Sequence, residues 1–267
     1  MLYFVSTPIG NLKDITLRAI DVLKSVDYIA CEDKKHSLPL LNAYDIKKPL
    51  LSYQKFNESE TAPRIIELLK EGKDVAVISD AGTPVLSDPG AVLCKKLKEE
   101  GIAYTVIPGA NALLPALILS AFDCPNFAFI GFLPPKKAQI KELLSSYENL
   151  PCPLVFYCAP HDLEKTVALL HEFLGNRRAC AIKEITKIYE SATTFSLKDG
   201  LTVDERGEFV IVVEGVNKRS SLKDISVEDH IKMYIDGGMD KMTAIKTVAK
   251  ERGVPKSALY KYTIDKK

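Results

Sequence analysis

Short apolar runs punctuate the first part of the chain at regular intervals. Leu2–Ser6, Tyr28–Cys31, Leu50–Ser52, Val75–Ser79 and Tyr104–Ile107 are rich in β-branched and aromatic residues, and each predicts a strand. Between them apolar positions recur at helical spacing over Ile15–Val26, Leu38–Tyr44, Ala62–Glu71 and Ala91–Glu100, and a further helix, Ala112–Ser120, follows the fifth run. Asp14 stands where it can cap the first helix, and Pro63 where a first-turn proline is tolerated. Strand and helix in strict alternation predict a βα-repeating domain with a mainly parallel sheet.

The pattern changes around "CPNFAFIGFLPPKK". Strands are expected at Ala128–Phe132, Leu154–Tyr157, Ala179–Lys183 and Phe209–Glu214, with helices at Ala138–Tyr147 and Leu163–Leu174. Their wider spacing suits a second α/β domain with a mixed sheet. After the polar stretch "EGVNKRSSLKD", residues 226–263 read as two or three short helices. The expected architecture is therefore α/β: residues 1–117, then 118–217, then a small helical C-terminal appendage over 222–267.

Composition narrows the class. With 267 residues and 46% hydrophobic content, the chain can bury a sizeable core. No apolar stretch approaches the ~18 residues of a membrane span, and no basic region precedes the short run at the N-terminus. A cytosolic, soluble protein is expected. Six scattered cysteines with no Cys-x-x-Cys pair, and four histidines with no His-x-x-x-His, suggest neither a disulfide framework nor a zinc site. The net charge of +1 divides unevenly: residues 218–267 hold 12 Lys/Arg against 7 Asp/Glu, and the rest holds 24 against 28. A basic tail suits either a solvated helical face or phosphate contact.

Four predicted strand ends carry glycine or proline turns: "STPIGN" at 6–11, "SDAGTP" at 79–84, "PGANA" at 108–112 and "FYCAP" at 156–160. Any one of them could be ordinary punctuation. Four at carboxyl ends can line one cleft, where glycines admit close backbone approach and helix N-termini offer free N–H groups. Neither G-x-G-x-x-G after the first strand nor G-x-x-x-x-G-K-[ST] is present, so the dinucleotide and phosphate-loop fingerprints are absent.

The segments "LYFVSTPIGNLKDITLRAIDVLKSVDYIACED", "VAVISDAGTPVLSDPG", "VIPGANALLPAL", "FIGFLP", "LVFYCAPH" and "KEITKIYE" closely resemble the tetrapyrrole-methylase superfamily, in order and over about residues 2–216. Within it they resemble the branch that methylates ribosomal RNA. The resemblance implies two α/β domains with a cofactor cleft between them, and methyl transfer from S-adenosylmethionine to the ribose 2′-hydroxyl of a cytidine in the decoding region of 16S rRNA. It also implies a homodimer. By family position the cofactor contacts would be Pro8 and Ile9, then Asp80, Gly82 and Thr83, then Gly109, Asn111 and Ala112, then Tyr157, Cys158 and Ala159, and Phe209, Val210 and Ile211 near adenine. Asp88 could instead cap the following helix. The family's usual Glu-Asp-Thr-Arg-His-Thr is here Glu32-Asp33-Lys34-Lys35-His36-Ser37, replacing a forked guanidinium by a point-charge ammonium. Asn111 stands where serine is common, and "YCAPHD" where the family has "YESPHR".

A ribose hydroxyl is a poor nucleophile. Positioning is worth roughly 7–11 kcal/mol, against about 3–5.5 kcal/mol for a general base, so geometry should dominate. The candidates for proton handling are His161, Glu184, Lys183 and Asp33, with Glu32, His36 and Lys187 also weighed; His161 could equally cap a helix. Lys183 and Glu184 alternate along one strand, which leaves only one of them to face the cleft. Lys34, Lys35, Lys136 and Lys137 are candidate RNA contacts. The tail, with apolar Ala244, Val248 and Ala249, a turn at Gly253–Lys256 and a helix from Ser257, resembles a helix-turn-helix, or else is a small bundle covering the body. Other readings are a methylase of a tetrapyrrole or other small molecule, and a noncatalytic RNA-binding or ribosome assembly factor.

Overall fold

A computed structural model describes residues 1–204, 206–216 and 225–262. Residues 1–148 and 152–214 form one compact unit, while 149–151 and the described residues from 215 onward form another.

The first unit contains two five-stranded sheets. Sheet one uses β1 (Leu2–Val5), β2 (Tyr28–Cys31), β3 (Leu50–Ser52), β4 (Val75–Ile78) and β5 (Tyr104–Ile107) in the order β3-β2-β4-β1-β5, every neighbour parallel. Its central strands are apolar throughout because helices cover both faces. Leu2, Phe4, Val75 and Val77 pack against α3 (Glu58–Lys70) and α4 (Ala91–Glu99) through Ile65, Leu69, Leu93 and Leu97. Val5, Ile29, Ala76 and Ile78 face Ala19, Leu23 and Leu41 of α1 (Leu17–Ser25) and α2 (Lys34–Ala43).

Three helix starts differ from the sequence expectation, the first two because another side chain reaches the free N–H groups first. Thr16, not Asp14, caps α1, its hydroxyl accepting from the Ala19 amide at 3.1 Å. Asp14 lies in a 3-10 turn, Leu12–Asp14, capped by Asn11. Helix α2 begins four residues before Leu38 because Asp33 caps it, accepting from the Lys35 amide at 2.7 Å. Helix α3 begins at Glu58, so Pro63 falls in its second turn, where its missing N–H withholds one helical bond.

Sheet two has the order β6-β7-β10-β8-β9. Strands β6 (Ala128–Phe132) and β7 (Leu154–Cys158) run parallel; β10 (Phe209–Val213) is antiparallel to both β7 and β8 (Arg178–Lys183), and β9 (Ser191–Ser196) is antiparallel to β8. The mixed sheet is as expected; β9 was not anticipated, because "SATTFS" is a hydroxyl-rich edge strand with no apolar run. Helix α5 (Leu113–Ser120) lays Ala116 and Leu117 on Val155, Cys180, Ile182, Val210 and Val212. Leu154, Phe156, Ile211 and Val213 are buried as well, and α6 (Lys137–Ser145) packs with α7 (Leu163–Leu174). Ile9, in the turn after β1, packs into the core of sheet two.

The second unit contains α8 (Val227–Asp236), α9 (Lys241–Arg252) and, at the position of the helix expected from Ser257, a 3-10 helix, Lys256–Tyr262. Ile231, Ala244, Ile245, Val248, Ala249 and Leu259 give it a core of its own.

Candidate active site

All five strands of sheet one are parallel, so their carboxyl ends emerge along one edge, and the turns there are stitched together. Thr7 and Gly82 exchange backbone hydrogen bonds of 2.8 and 3.1 Å. The Thr7 hydroxyl donates to the Ser79 carbonyl at 3.2 Å, and the Ser6 and Thr83 hydroxyls lie 3.0 Å apart. The Ser6 amide donates to the Ile107 carbonyl at 3.1 Å. The ends of β1, β4 and β5 thus form one rigid rim.

Against this rim opens a cleft of about 610 Å³. Its walls are unequal. Sheet one supplies Ile9, Glu32 and the run from Asp80 to Thr83, with Leu86, Ser87 and Asp88 further along the same loop; Asn111 to Leu114 follow β5. Sheet two supplies Phe129, Phe132, Ile182, Ile185, Glu208, Phe209 and Val210, with Tyr157 to Pro160 at the end of β7. One wall is turns and carboxylates, the other mainly apolar strand surface with a single carboxylate, Glu208. The rings of Phe129 and Phe132 meet that of Tyr157 edge-on, with centroids 4.9 and 5.5 Å away.

The electrostatics are one-sided. Glu32, Asp80 and Asp88 line the cleft from the side of sheet one and Glu208, paired with Lys187 at 2.8 Å, from the side of sheet two; among the described residues no lysine, arginine or histidine lines it with them. Burial, then the charges of Asp80, Asp88 and Asp33, pushes the Glu32 carboxyl up. Burial and Asp80 push Asp88 up as well, against the pull of the Ser79 hydroxyl. Burial, with Asp88 beside it, raises Tyr157, which keeps its phenolic proton at neutral pH. The Asp33 amide donates to Asp80 Oδ1 at 3.2 Å. A carboxylate-lined cleft with an apolar slot suits a cation carrying a flat ring, and S-adenosylmethionine, with its ammonium, sulfonium and adenine, has that chemistry.

Most of the expected cofactor contacts meet here: Ile9, Asp80, Gly82, Thr83, Asn111, Ala112, Tyr157, Cys158, Ala159, Phe209 and Val210 all line the cleft. Pro8, Gly109 and Ile211 do not. A Cβ on Gly109 would meet Ser6 Cβ at 2.9 Å, so this glycine lets two turns of the rim touch. Ile211 is fully buried within sheet two.

None of the four expected proton-handling residues lines the cleft. Asp33 is the cap of α2. His161 is 78% exposed, its Nε2 3.4 Å from Asp162 Oδ2 in the 3-10 turn Pro160–Asp162. Lys183 donates to the Asp204 carbonyl at 2.9 Å. Glu184 accepts from Lys187 Nζ and from the Glu208 amide, both at 2.9 Å. Burial pushes Glu184 up, but those two donors hold it below the usual carboxylate range. The alternation of Lys183 and Glu184 is thus resolved toward neither. Asp88, which sequence reasoning allowed as a cap for α4, is not one: the cap position is Gly90, with no side-chain bond. Of the expected RNA contacts, Lys34, Lys35, Lys136 and Lys137 are exposed, and Lys137 also pairs with Glu172 at 2.8 Å.

The family model for Tetrapyrrole (Corrin/Porphyrin) Methylases matches residues 1–200. The ribosomal RNA small subunit methyltransferase I of Bacillus subtilis is 40% identical over 97% of this chain and 92% of its own length. That of Halalkalibacterium halodurans is 41% identical, with 97% and 93% covered. Among solved structures, uroporphyrin-III-C-methyltransferase from Thermus thermophilus superposes with a TM-score of 0.55 at 22% identity, covering 80% of this chain and 93% of that one. Diphthine synthase superposes at 0.61 with 14% identity, covering 80% and 89%. At such identities the likeness concerns the fold. Near-complete coverage by the sequence relatives, with the shared turns gathered on one cleft, means that this chain belongs to the ribosomal RNA small subunit methyltransferase I family of tetrapyrrole methylases.

Proposed function

We propose that this protein transfers a methyl group from S-adenosylmethionine to the ribose 2′-hydroxyl of a cytidine in the decoding region of 16S rRNA, as a cytoplasmic homodimer whose two α/β domains close around the cleft. The observation that carries the reading is the cleft itself: three carboxylates on one wall, an apolar slot with Glu208 beside it on the other, and no lining cation among the described residues. When bound, the cofactor supplies an electrophilic methyl carbon. Glu32 and Asp80 compensate positive charge, and Ile182, Phe209 and Val210 receive the adenine. Gly82, at φ 80°, brings backbone close to the ligand, its absent Cβ facing Ile9 Cγ2 at 3.4 Å. Fixed walls of this kind favour positioning as the main source of acceleration.

Lys34 and Lys35, in the first turn of α2, follow directly on Glu32 and Asp33 and would meet phosphates at the rim, with Lys136 and Lys137 contributing at the start of α6. The basic surplus of the C-terminal unit supports an RNA contact there too. Exposed Tyr104 and Val106 on edge strand β5, with Leu114 and Ile118 on α5, support the homodimer. Mapping 2′-O-methylation in 16S rRNA from cells with and without this chain tests the reading. One ribose methyl lost at one cytidine is expected; an unchanged methylation map sinks it.

A further inference from the structure

The loop from β4 to α4, part of the cleft wall, holds two non-glycine residues in left-handed backbone. Val85 sits at φ 79° and Ser87 at φ 71°, a left-handed backbone that is unfavourable for any side chain and most of all for a β-branched one. Two glycines make room for it. A Cβ on Gly90 would stand 2.6 Å from Val85 Cγ2, and one on Gly131, at the bulge in β6, would stand 3.2 Å from the Ser87 hydroxyl. Sheet two therefore yields space so that this loop can reach across the cleft. The residue it delivers there is Asp88, half-buried and lining the cavity.

Asp88 has no structural duty that explains the strain. It does not cap α4, and among the described residues no lysine, arginine or histidine lines the cleft to answer its charge. The titratable groups that face it are Glu32 after β2, Asp80 after β4 and the Tyr157 phenol at the end of β7. Asp80 is fixed by the Asp33 amide. Asp88 has the pull of the Ser79 hydroxyl.

We propose that Asp88 is the catalytic base of this cleft, taking the proton from the acceptor hydroxyl as the methyl group moves. This rests on the reading of the reaction given above. The hydroxyl O–H pair stays on oxygen while the proton passes to the Asp88 carboxylate. An oxygen lone pair forms the bond to the methyl carbon, and the carbon–sulfur pair returns to sulfur, leaving neutral S-adenosylhomocysteine; water then takes the proton from Asp88. Burial, which lifts the Asp88 carboxyl above its ordinary range, makes it a stronger base than an exposed aspartate.

The test compares wild type, Asp88→Asn and Asp88→Glu on 30S subunits lacking the methyl group. Wild-type kcat should rise with pH through the raised carboxyl titration and then level off. Asp88→Asn should lower kcat by about 10²–10⁴-fold and abolish that limb, with S-adenosylmethionine affinity unchanged by calorimetry. Its melting temperature at neutral pH should hold or rise, because the variant removes a desolvated charge. Asp88→Glu should keep the limb with reduced kcat. Near-wild-type kcat in Asp88→Asn, an intact pH limb in it, or cofactor affinity and melting temperature falling together with activity would each overturn the assignment. Wild type that leaves 30S subunits unmethylated overturns the reaction reading first, and this inference with it.

Discussion

Among the described residues, two segments each hold a pair of non-glycine residues in left-handed backbone, and their charges keep different company. In 184–187, Glu184 at φ 51° and Thr186 at φ 67° are surrounded by partners. Lys187 Nζ lies 2.9 Å from Glu184 and 2.8 Å from Glu208, and the Thr186 hydroxyl donates to Asp14 across the two sheets. In 79–90, Val85 and Ser87 are likewise left-handed, yet among the described residues no lining cation meets Asp80 and Asp88. The first segment answers its charges with its own chain, so its strain joins the sheets. The second leaves charge unanswered, which is what a cationic ligand and a proton transfer require.

The contrast breaks most visibly if Lys187 is replaced. Lys187→Met strands a Glu184 carboxylate that is only 17% exposed, and should cost about 1–3 kcal/mol of folding free energy in urea unfolding. A loss below 0.5 kcal/mol, an estimate of ordinary surface behaviour, would mean that the segment is not the brace described. Asp80→Asn should do the reverse. Its stability should change little, while S-adenosylmethionine affinity falls about tenfold or more, corresponding to roughly 1.4 kcal/mol. Equal affinity in calorimetry would remove Asp80 from the binding set.

The smallest effects are in pH, and they run in opposite directions. Glu184 is held below its ordinary value against the push of burial, so its stabilising contribution is present above the unfolded carboxyl range and is lost as pH falls through the lowered folded one. The deficit of Lys187→Met should therefore shrink in acid. Asp88 is raised by burial, so its contribution is full below the unfolded value and is lost as pH rises through the folded one. Any advantage of Asp88→Asn should consequently grow from acid toward neutral pH. Thermal melts across pH 3–8, roughly the interval spanning ordinary and raised carboxyl titrations, would check both; parallel trends would erase the distinction.

The turns of the cleft were legible because each follows an apolar run that only a buried strand explains, as Val75–Ile78 does before Asp80. The apolar wall was less so. Phe129, Phe132 and Ile185 lie in segments that carry the family resemblance, but they enter the cleft through the pairing of β6 with β7 and the turn out of β8, which no spacing within those segments shows. The polar candidates erred for a related reason. A carboxylate beside a strand end reads alike whether it faces ligand or lysine, and Glu184 becomes a brace only through Lys187 and the Glu208 amide, the latter a long-range contact. Asp33 could have been read as a cap from its place before Lys34, since aspartate favours that position.

The paired bonds between Thr7 and Gly82 make a two-residue ladder out of what are formally loops. Their amides should resist hydrogen exchange as the neighbouring strands do, opening only when β1 and β4 part. A pocket wall of that kind has little backbone entropy left to lose when a ligand arrives, so capture there should be close to a rigid docking event, its cost falling on the ligand's own rotors.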